Sequence, residues 1–482
     1  MRISTIDFAI ILVYLSGITL FGVRFRRSQQ SLRDYFLGGR SAPWWAIASS
    51  LVATETSTLT IIGTPAIAYD GNLGFLQLVL GYLVARVILC VVLVPQYFQG
   101  EFYTAYQLLE KRFGARLKRS AALVFLVTRT LAEGVRIAAI GKVVSVAFGT
   151  GERSSVAIVA ALTLLYTLEG GMRAVIWTDV VQLALSLTGS LAAFCLLLHK
   201  IPGGWPAVAQ VAAAAGDKLR IFDFTYSLTR SYTFWSGILG GTFLTMASHG
   251  TDQTMVQRLL AAQSERDAKK ALLTSGIVIF AQFALFLVVG VMLFVYRQLA
   301  FLPVPGGDSD RILPEFIVRE MPLGLTGFVL ASIFAVAMSN ASGSLNSLAS
   351  SSVIDLGVDK TPGISRDPLK RSRYATLAWG VILAALGLAP WGHVLEAGLT
   401  IASITYGGLL GVFLLGTWNP RANQTGALVG LFVGIISMVA VWRFSSLAYT
   451  WYVLAGTIVA FSVGSIASFL FGPPYQRASQ GS

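Results

Sequence analysis

Long runs of apolar residues, separated by short polar segments, repeat along the whole 482-residue chain. A run of about 20 apolar residues can cross the hydrocarbon core of a bilayer as one helix. We therefore predict an all-α polytopic membrane protein with about thirteen transmembrane helices, and we number the first of them helix 0. The predicted spans are 4–24, 43–69, 73–98, 119–148, 154–169, 172–199, 232–257, 266–298, 321–352, 374–391, 394–417, 422–443 and 449–471.

The composition argues against a soluble protein. Hydrophobic residues make up 55% of the chain and charged residues only 12%, whereas soluble domains carry about 25% charged residues. The net charge of +13 comes from Lys and Arg in short segments between apolar runs, and not from a basic soluble module, so we expect no nucleic-acid partner. Cys90 and Cys195 lie inside apolar runs, which supports neither a disulfide framework nor a metal site.

Segments rich in Lys and Arg set the orientation of the predicted helices. Basic loops are retained in the cytoplasm, and the four most basic segments alternate correctly along the chain if all of them face that side. They are 24–42, 99–118, 258–270 and 353–373. We therefore expect a multi-pass protein of the plasma membrane (the inner membrane of a bacterium), with its N-terminus outside and its C-terminus inside. Two long outer segments, 200–231 and 299–320, could hold short surface helices.

The span 43–69 is too polar for a simple membrane helix. It contains Glu55, four threonines at alternate positions around it, and the helix breakers Gly63 and Pro65. Threonines two residues apart point to different sides of a helix, so several sides of this segment need polar surroundings. Unwound backbone at membrane depth is tolerated where it lines a cavity, and its freed carbonyls can coordinate a cation. A carboxyl at this depth indicates a functional site.

Two other spans carry polar clusters. Residues 236–258 include His249-Gly250 followed by Asp252 and Gln253. This segment comes five helices after the first polar span, as expected for broken helices in two inverted five-helix repeats. Residues 339–352 contain seven serines and two asparagines. These small residues would allow close helix packing, but adjacent Ser and Asn oxygens are also ligands that a hard cation prefers.

Six stretches in these spans and in the segments between them resemble the sodium:solute symporter family, in the family's order and spacing. They are RDYFLGGRSAPWWA, SLVATETST, YTAYQLLEKRFG, GGMRAVIWTDVVQL, GTDQTMVQRLLAAQS and AMSNASGSLNS. The resemblance implies one transporter domain built from two inverted repeats, 43–199 and 232–417, with helices 1 and 6 broken. Helix 0 (4–24) precedes the repeats, and two additional helices (422–471) follow them.

The resemblance also implies sodium-coupled symport, in which a secondary active transporter and not an enzyme carries a small organic solute into the cell by alternating access. It implies a main sodium site between helices 1 and 8, formed by three backbone carbonyls and two adjacent side chains. The matching residues are Ala53, Thr56, Val336, Ser339 and Asn340. Asn340 departs from the family's usual Ser or Thr, although its amide oxygen can still bind an ion.

Some members of the family bind a second sodium ion. The positions that match this site are Asp179 and Ser342. Gly343 lacks the other hydroxyl that such members supply, so two interpretations remain open. Asp179 and Ser342 can bind a second ion, or Asp179 can pair with hydroxyl groups of helix 8.

The solute is expected near the midplane of the membrane, between the two repeats. Arg129, Glu133 and Arg136 share one face of helix 3. They can form an internal ion-pair ladder, or one arginine can bind a substrate carboxylate. Glu55 could balance that charge or bind an amine. The predicted substrate-binding residues are Glu55, Ser57, Thr60, Phe75, Gln77, Arg129, Arg136, Asp252 and Gln253.

These residues favour a carboxylate or an amino acid over a sugar. Two positions at which sugar-transporting members of the family have polar side chains are occupied by Val79 and Ile279. Proton coupling is an alternative, because Glu55 could carry the proton. A sensor that binds the solute without transporting it is another alternative. A membrane-embedded enzyme would need a catalytic pair or a metal cluster at membrane depth, and the sequence offers only single candidates.

Overall fold

The computed structural model describes residues 3–24, 31–301, 308–357, 368–389, 391 and 394–471. Parts of the predicted basic loops 24–42 and 353–373, and of the outer segment 299–320, lie outside the described residues. The C-terminal residues 472–482, predicted to be inside the cell, also lie outside them.

Helices form nearly all of the described structure. They are α1 (Thr5–Val23), α2 (Leu32–Leu37), α3 (Trp44–Glu55), α4 (Thr58–Asp70), α5 (Leu76–Val92), α6 (Val94–Tyr97), α7 (Tyr106–Phe113), α8 (Ala115–Phe148), α9 (Glu152–Lys200), α10 (Gly204–Ala214), α11 (Gly241–Gly250), α12 (Gln253–Leu260), α13 (Glu265–Leu299), α14 (Ile312–Glu320), α15 (Leu325–Ser350), α16 (Pro368–Gly387), α17 (Val394–Trp418), α18 (Gln424–Phe444) and α19 (Tyr452–Leu470). The described residues contain no β-strand, only an isolated bridge between Ala42 and Ala262.

Eight described helical segments are long and apolar enough to cross a membrane, and the bent pair α3–α4 makes a ninth. These nine coincide with predicted spans. The other four predicted spans, 119–148, 154–169, 232–257 and 374–391, are also helical over most of their length. Span 119–148 lies within α8, whose five charged residues in this range explain its lower hydropathy.

Two details of the helices differ from prediction. We expected separate spans at 154–169 and 172–199, but α9 continues from Glu152 to Lys200 because the glycine pair between them does not interrupt the helix. The span 232–257 consists of a π-helical turn, Ser236–Gly240, followed by α11 and α12. The predicted short outer helices are present as α10 and α14.

The polar helix α15 lies at the centre of the molecule. It packs against α9 and α1 and also contacts α3. In its most apolar stretch of 18 residues, 89% is buried inside the protein, compared with 22% for the corresponding stretch of α1. A helix with so many hydroxyl groups needs protein partners instead of lipid, and its small side chains allow neighbouring helices to approach closely. The packing therefore brings together α3 and α15, the two helices predicted to bind sodium.

The last three helices pack closely against one another. Glycine makes this approach possible, since a Cβ atom at Gly430 of α18 would lie 2.9 Å from the Cα atom of Gly464 in α19. This contact depends on small residues in the manner common for membrane helices. A larger residue at Gly430 would push the two helices apart.

Candidate functional site

The first broken helix changes direction by 59° between α3 and α4. The break lies at Thr56 and Ser57, where the backbone is extended (ψ 93° and 170°). This position differs from our expectation, because Gly63 and Pro65 both lie inside the continuous helix α4. The Pro65 backbone instead contacts Gly290 of α13 closely, at a position where a Cβ atom would not fit.

A capping box at the start of α4 explains why the helix breaks where it does. The Ser57 amide donates to Thr60 Oγ1 (3.2 Å), and the Thr60 amide donates to Ser57 Oγ (3.4 Å). In an unbroken helix these two amides would instead bond to the carbonyls of Ala53 and Thr56. Because both amides bond to side chains instead, the carbonyls of Ala53 and Thr56 lose their usual helical partners.

These two carbonyls face a third carbonyl, on α15. The oxygens of Ala53, Thr56 and Val336 all lie within 3.3 Å of one atom, the side-chain nitrogen of Asn340. The structure thus brings together four of the five residues predicted for the main sodium site. The set of three carbonyl oxygens suits a small hard cation, and the oxygen of the Asn340 amide could supply a fourth ligand.

Ser339, the fifth predicted sodium ligand, faces Asp179. The Ser339 and Ser50 hydroxyls both donate short hydrogen bonds to this carboxylate. The guanidinium of Arg258 lies 3.1 Å from the same carboxylate and 2.9 Å from the Ser50 hydroxyl. All four side chains are fully buried, and a buried charge is stable only when it is paired in this way.

The two residues predicted for a second sodium ion each have another hydrogen-bond or ion-pair partner. The Ser342 hydroxyl donates to the carbonyl of Ser339 in its own helix (3.0 Å), while Asp179 faces Arg258. Gly343 makes room for the guanidinium, because a Cβ atom there would lie 2.6 Å from its NH2 nitrogen. Gly343 therefore has two effects, because it supplies no hydroxyl and it leaves space for the Arg258 guanidinium.

The second broken helix is interrupted between α11 and α12. Asp252 begins α12 by accepting a hydrogen bond from the Thr254 amide (2.8 Å), as an N-cap residue does. Its other carboxylate oxygen accepts a hydrogen bond from the Tyr406 hydroxyl (2.7 Å). Both groups line a cavity, so the break places a fixed carboxylate at the cavity wall.

This central cavity lies between α3, α4, α5, α8, α11, α13 and α17. Seven of the nine predicted substrate-binding residues line it: Glu55, Ser57, Thr60, Phe75, Arg129, Arg136 and Asp252. Gln77 and Gln253 do not line it. Gln77 binds the segment between α10 and α11 through the Tyr232 carbonyl and the Asp223 amide, and Gln253 binds the loop before α7 through the Ala105 amide. Each glutamine satisfies backbone groups outside the cavity.

Glu55 has two partners at the cavity wall. Its carboxylate makes a short ion pair with Arg86 of α5 and lies 3.4 Å from the Nε2 atom of His249. Arg86 is fully buried and also donates to the Tyr82 carbonyl and the Ser275 hydroxyl. The pairing neutralises the carboxylate while 12% of the Glu55 side chain stays exposed to the cavity.

Arg129 and Arg136 of α8 share a single carboxylate, that of Glu133. Glu133 lies 3.0 Å from Arg136 and 3.6 Å from Arg129, and the Ser344 hydroxyl joins Arg129 to Glu133. Two positive charges and one negative charge leave this ladder with a net positive charge beside the cavity. Arg136 is the more exposed of the two arginines (21%), and no acceptor in the described part of the chain reaches its buried Nε atom.

A family model decides the class of this protein. The model of the sodium:solute symporter family matches residues 35–434, most of the chain. The chain belongs to the sodium:solute symporter family. This symporter is a sodium-coupled secondary active transporter, not an enzyme, and acts in the plasma membrane as a multi-pass protein that carries a solute together with Na⁺.

Several characterised proteins are similar to this symporter. The sodium/sialic acid symporter SiaT of Proteus mirabilis is 31% identical over 98% of this chain and 96% of its own length. The human sodium/iodide cotransporter is 30% identical over 89% of this chain and 68% of its own length. The sodium-coupled monocarboxylate transporter 2 of Bos taurus is 29% identical over 89% of this chain and 70% of its own length.

The fold of the symporter is also known from experiment in a relative. A Na⁺-coupled sialic acid symporter, solved in a substrate-bound outward-open state that revealed a novel Na⁺ site, superimposes with a TM-score of 0.88. It is 30% identical, and the match covers 98% of this chain and 99% of that one. The predicted all-helical transporter fold is therefore confirmed.

Sequence reasoning missed several residues of the site. The sequence analysis did not identify Arg86 and Arg258 as the partners of Glu55 and Asp179, and it did not identify the bond of Tyr406 to Asp252. A signal for Arg86 existed, because a charge within a membrane span requires a partner of opposite sign. The sequence contains no comparable signal for Arg258, which follows a predicted membrane span.

Proposed function

We propose that this symporter carries a small organic anion, with a sugar acid such as sialic acid as the first candidate and a monocarboxylate as the second. The observation that carries the proposal is the α8 ladder, in which Arg129 and Arg136 share one glutamate beside the cavity. A guanidinium with unused donors binds a carboxylate in a bidentate manner. The hydroxyls that line the same cavity suit a polyhydroxylated acid better than an apolar one.

The similar proteins support an anionic solute. Their names refer to sialic acid, iodide and monocarboxylates, which are all anions at neutral pH. The proposal keeps the carboxylate expected from the sequence and adds that a sugar ring can accompany it. An amino acid is less favoured, because Arg86 and His249 already pair with Glu55, the group that would bind its amine.

The proposed membrane topology follows the sequence. We propose that the chain keeps the predicted orientation, with the N-terminus outside, two inverted repeats at 43–199 and 232–417, and two additional helices at 422–471. The thirteen predicted crossings would require a turn between 154–169 and 172–199, which α9 joins in one helix. The alternating basic loops support this orientation. The two broken helices, interrupted at Thr56–Ser57 and at Thr251–Asp252, would occupy matching places in the two proposed repeats.

We further propose that sodium binds between α3 and α15. The carbonyls of Ala53, Thr56 and Val336 would hold the ion together with Ser339 and Asn340. Because the ion would join two different helices, it would favour the outward-open conformation in which the solute binds. Each ligand then stabilises the conformation that the other one needs, which is the thermodynamic basis of coupling.

We propose that this symporter moves a single sodium ion in each cycle. The guanidinium of Arg258 provides a permanent positive charge beside Asp179, in the space that Gly343 leaves open. A second sodium ion there would have to displace a buried, paired arginine. Proton coupling through Glu55 is disfavoured for a similar reason, because Arg86 stabilises the ionised carboxylate.

The experiment that tests the transport proposal is uptake into proteoliposomes. Radiolabelled sialic acid, a monocarboxylate, an amino acid and glucose would each be offered with and without an inward sodium gradient. We expect sodium-dependent accumulation of at least one of the two acids. Binding without accumulation would support a sensor, and accumulation driven equally well by a proton gradient would contradict sodium coupling.

Replacing Ser339 with alanine is expected to raise the sodium concentration that gives half-maximal uptake by about tenfold, because a ligand of the proposed site is lost. Sodium titrations of uptake in proteoliposomes measure this change. The control is Ser332→Ala in the same helix, whose hydroxyl donates only to the Val329 carbonyl. Equal sodium dependence in the two variants would contradict the proposed ligand.

Replacing Arg136 with glutamine is expected to raise the half-saturating concentration of the anion by about 10- to 100-fold, which corresponds to one lost charged hydrogen bond. Expression should change little, because Arg129 still pairs with Glu133. Arg136→Lys keeps the charge without the bidentate geometry, so its half-saturating concentration should lie between those of the unmodified protein and of Arg136→Gln. Binding of the neutral methyl ester of the solute should not respond, and an equal loss for the ester and the acid would contradict a carboxylate contact.

A further inference from the structure

The side-chain amide of Asn340 lies where the proposed sodium ion would be coordinated. Its nitrogen is 3.0 Å from the Thr56 carbonyl, 3.1 Å from the Val336 carbonyl and 3.3 Å from the Ala53 carbonyl. An amide NH2 group carries two hydrogens and the positive end of a dipole. It therefore satisfies three converging carbonyl oxygens in much the same way as a cation.

The hydrogen-bond network determines which way this amide points. The oxygen and nitrogen of an asparagine side chain are distinguished by their partners, and the reversed amide would place its oxygen against three carbonyl oxygens with no hydrogen between them. In the observed orientation, the Oδ1 atom is buried and no donor in the described residues reaches it. Buried polar atoms are nearly always paired, so this oxygen points to a partner that the protein does not supply.

We propose that Asn340 is a two-position switch at the main sodium site, an inference that depends on the sodium site proposed above. In the first position, the amide nitrogen donates to the three carbonyls and occupies the site. In the second position, the side chain has rotated about its Cα–Cβ and Cβ–Cγ bonds, so that the amide leaves the space between the carbonyls and Oδ1 faces that space as a ligand of the ion. Oxygen is the ligand that a hard cation selects.

The switch makes sodium compete with a group of the protein itself. The rotation involves side-chain torsions alone, so it needs no movement of the backbone. It costs the hydrogen bonds of the first position, and this cost raises the sodium concentration needed for half-saturation. In the first position, the hydrogen bonds of the Asn340 amide also keep the end of α3 attached to α15 before the ion arrives. A Ser or Thr at this position has one donor, which can bond to one carbonyl only, and therefore competes less with the ion.

The test compares purified full-length protein with its Asn340→Ser variant in detergent, using thermal unfolding at increasing NaCl and constant ionic strength maintained with choline chloride. Asn340→Thr provides a second variant in case the serine variant does not fold. We expect the variant to unfold at a lower temperature in choline alone. We also expect its half-saturating sodium concentration to fall by about tenfold, because fewer hydrogen bonds compete with the ion.

The matched control is Asn346→Ser, the same substitution in the same helix. The Asn346 amide contacts Met172 instead of the three carbonyls, so its sodium titration should follow that of the unmodified protein. An unchanged or higher half-saturating sodium concentration in Asn340→Ser would overturn the switch while leaving the site intact. If sodium stabilises neither the unmodified protein nor the variants, the proposed sodium site fails, and the switch fails with it.

Discussion

Replacing Arg86 with methionine is expected to lower the free energy of unfolding by about 3 kcal/mol, because it removes one partner of a buried ion pair. The Arg86 side chain is almost completely buried, and it pairs with Glu55 through a short contact. Without it, the carboxylate would retain only His249, at 3.4 Å. Thermal unfolding of the purified protein in detergent, in parallel with the yield of folded protein, measures the loss.

The double variant Glu55→Gln/Arg86→Met separates the lost pair from lost packing. It removes both charges, so it should recover most of the stability that Arg86→Met loses. If the double variant is no more stable than the single one, the loss comes from the contacts of Arg86 with Tyr82 and Ser275. In either case, Glu55 has a partner other than the solute, which weakens its interpretation as an amine-binding group.

Much of the fold could be predicted from the sequence because the bilayer restricts the possible structures so strongly. Lipid forces apolar runs into helices, and each predicted span coincides with helical structure. The span 43–69 stood out for the same reason, since Glu55 and the surrounding threonines need polar partners at membrane depth. The position of its break was missed, because Gly63 and Pro65 are conspicuous helix breakers. The decisive pattern was the capping box of Ser57 and Thr60.

The partners inside the site were harder to predict because they depend on tertiary packing. Asp179 of α9 and Arg258 of α12 are far apart in the sequence and meet because both helices pack against α3 and α15. Gly343 was interpreted as a missing hydroxyl, although its second effect is the space it leaves for the guanidinium. Gln77 and Gln253 were assigned to the cavity because they are polar residues in membrane spans, but backbone groups of nearby loops bind both of them.

Uptake of a monoanion by this symporter is expected to be insensitive to membrane potential. One sodium ion and one monoanion carry no net charge, whereas a second sodium ion would make an inside-negative potential of 100 mV worth about 2.3 kcal/mol, or about 50-fold in accumulation. Valinomycin with a potassium gradient imposes this potential on proteoliposomes at a fixed sodium gradient. The prediction follows from the proposal that the charge of Arg258, which pairs with Asp179, takes the place of a second sodium ion.

A designed double variant provides a second test of the proposal that one sodium ion accompanies each anion. Arg258→Gln combined with Gly343→Ser removes the charge of Arg258 and introduces a hydroxyl beside Asp179. Uptake of the anion by this double variant should become dependent on membrane potential. Gly343→Ser alone is the control, and it should be destabilised because the serine Cβ would lie 2.6 Å from the guanidinium. If an inside-negative potential stimulates uptake by the unmodified protein, more than one sodium ion accompanies each anion. Arg258 then does not take the place of the second ion.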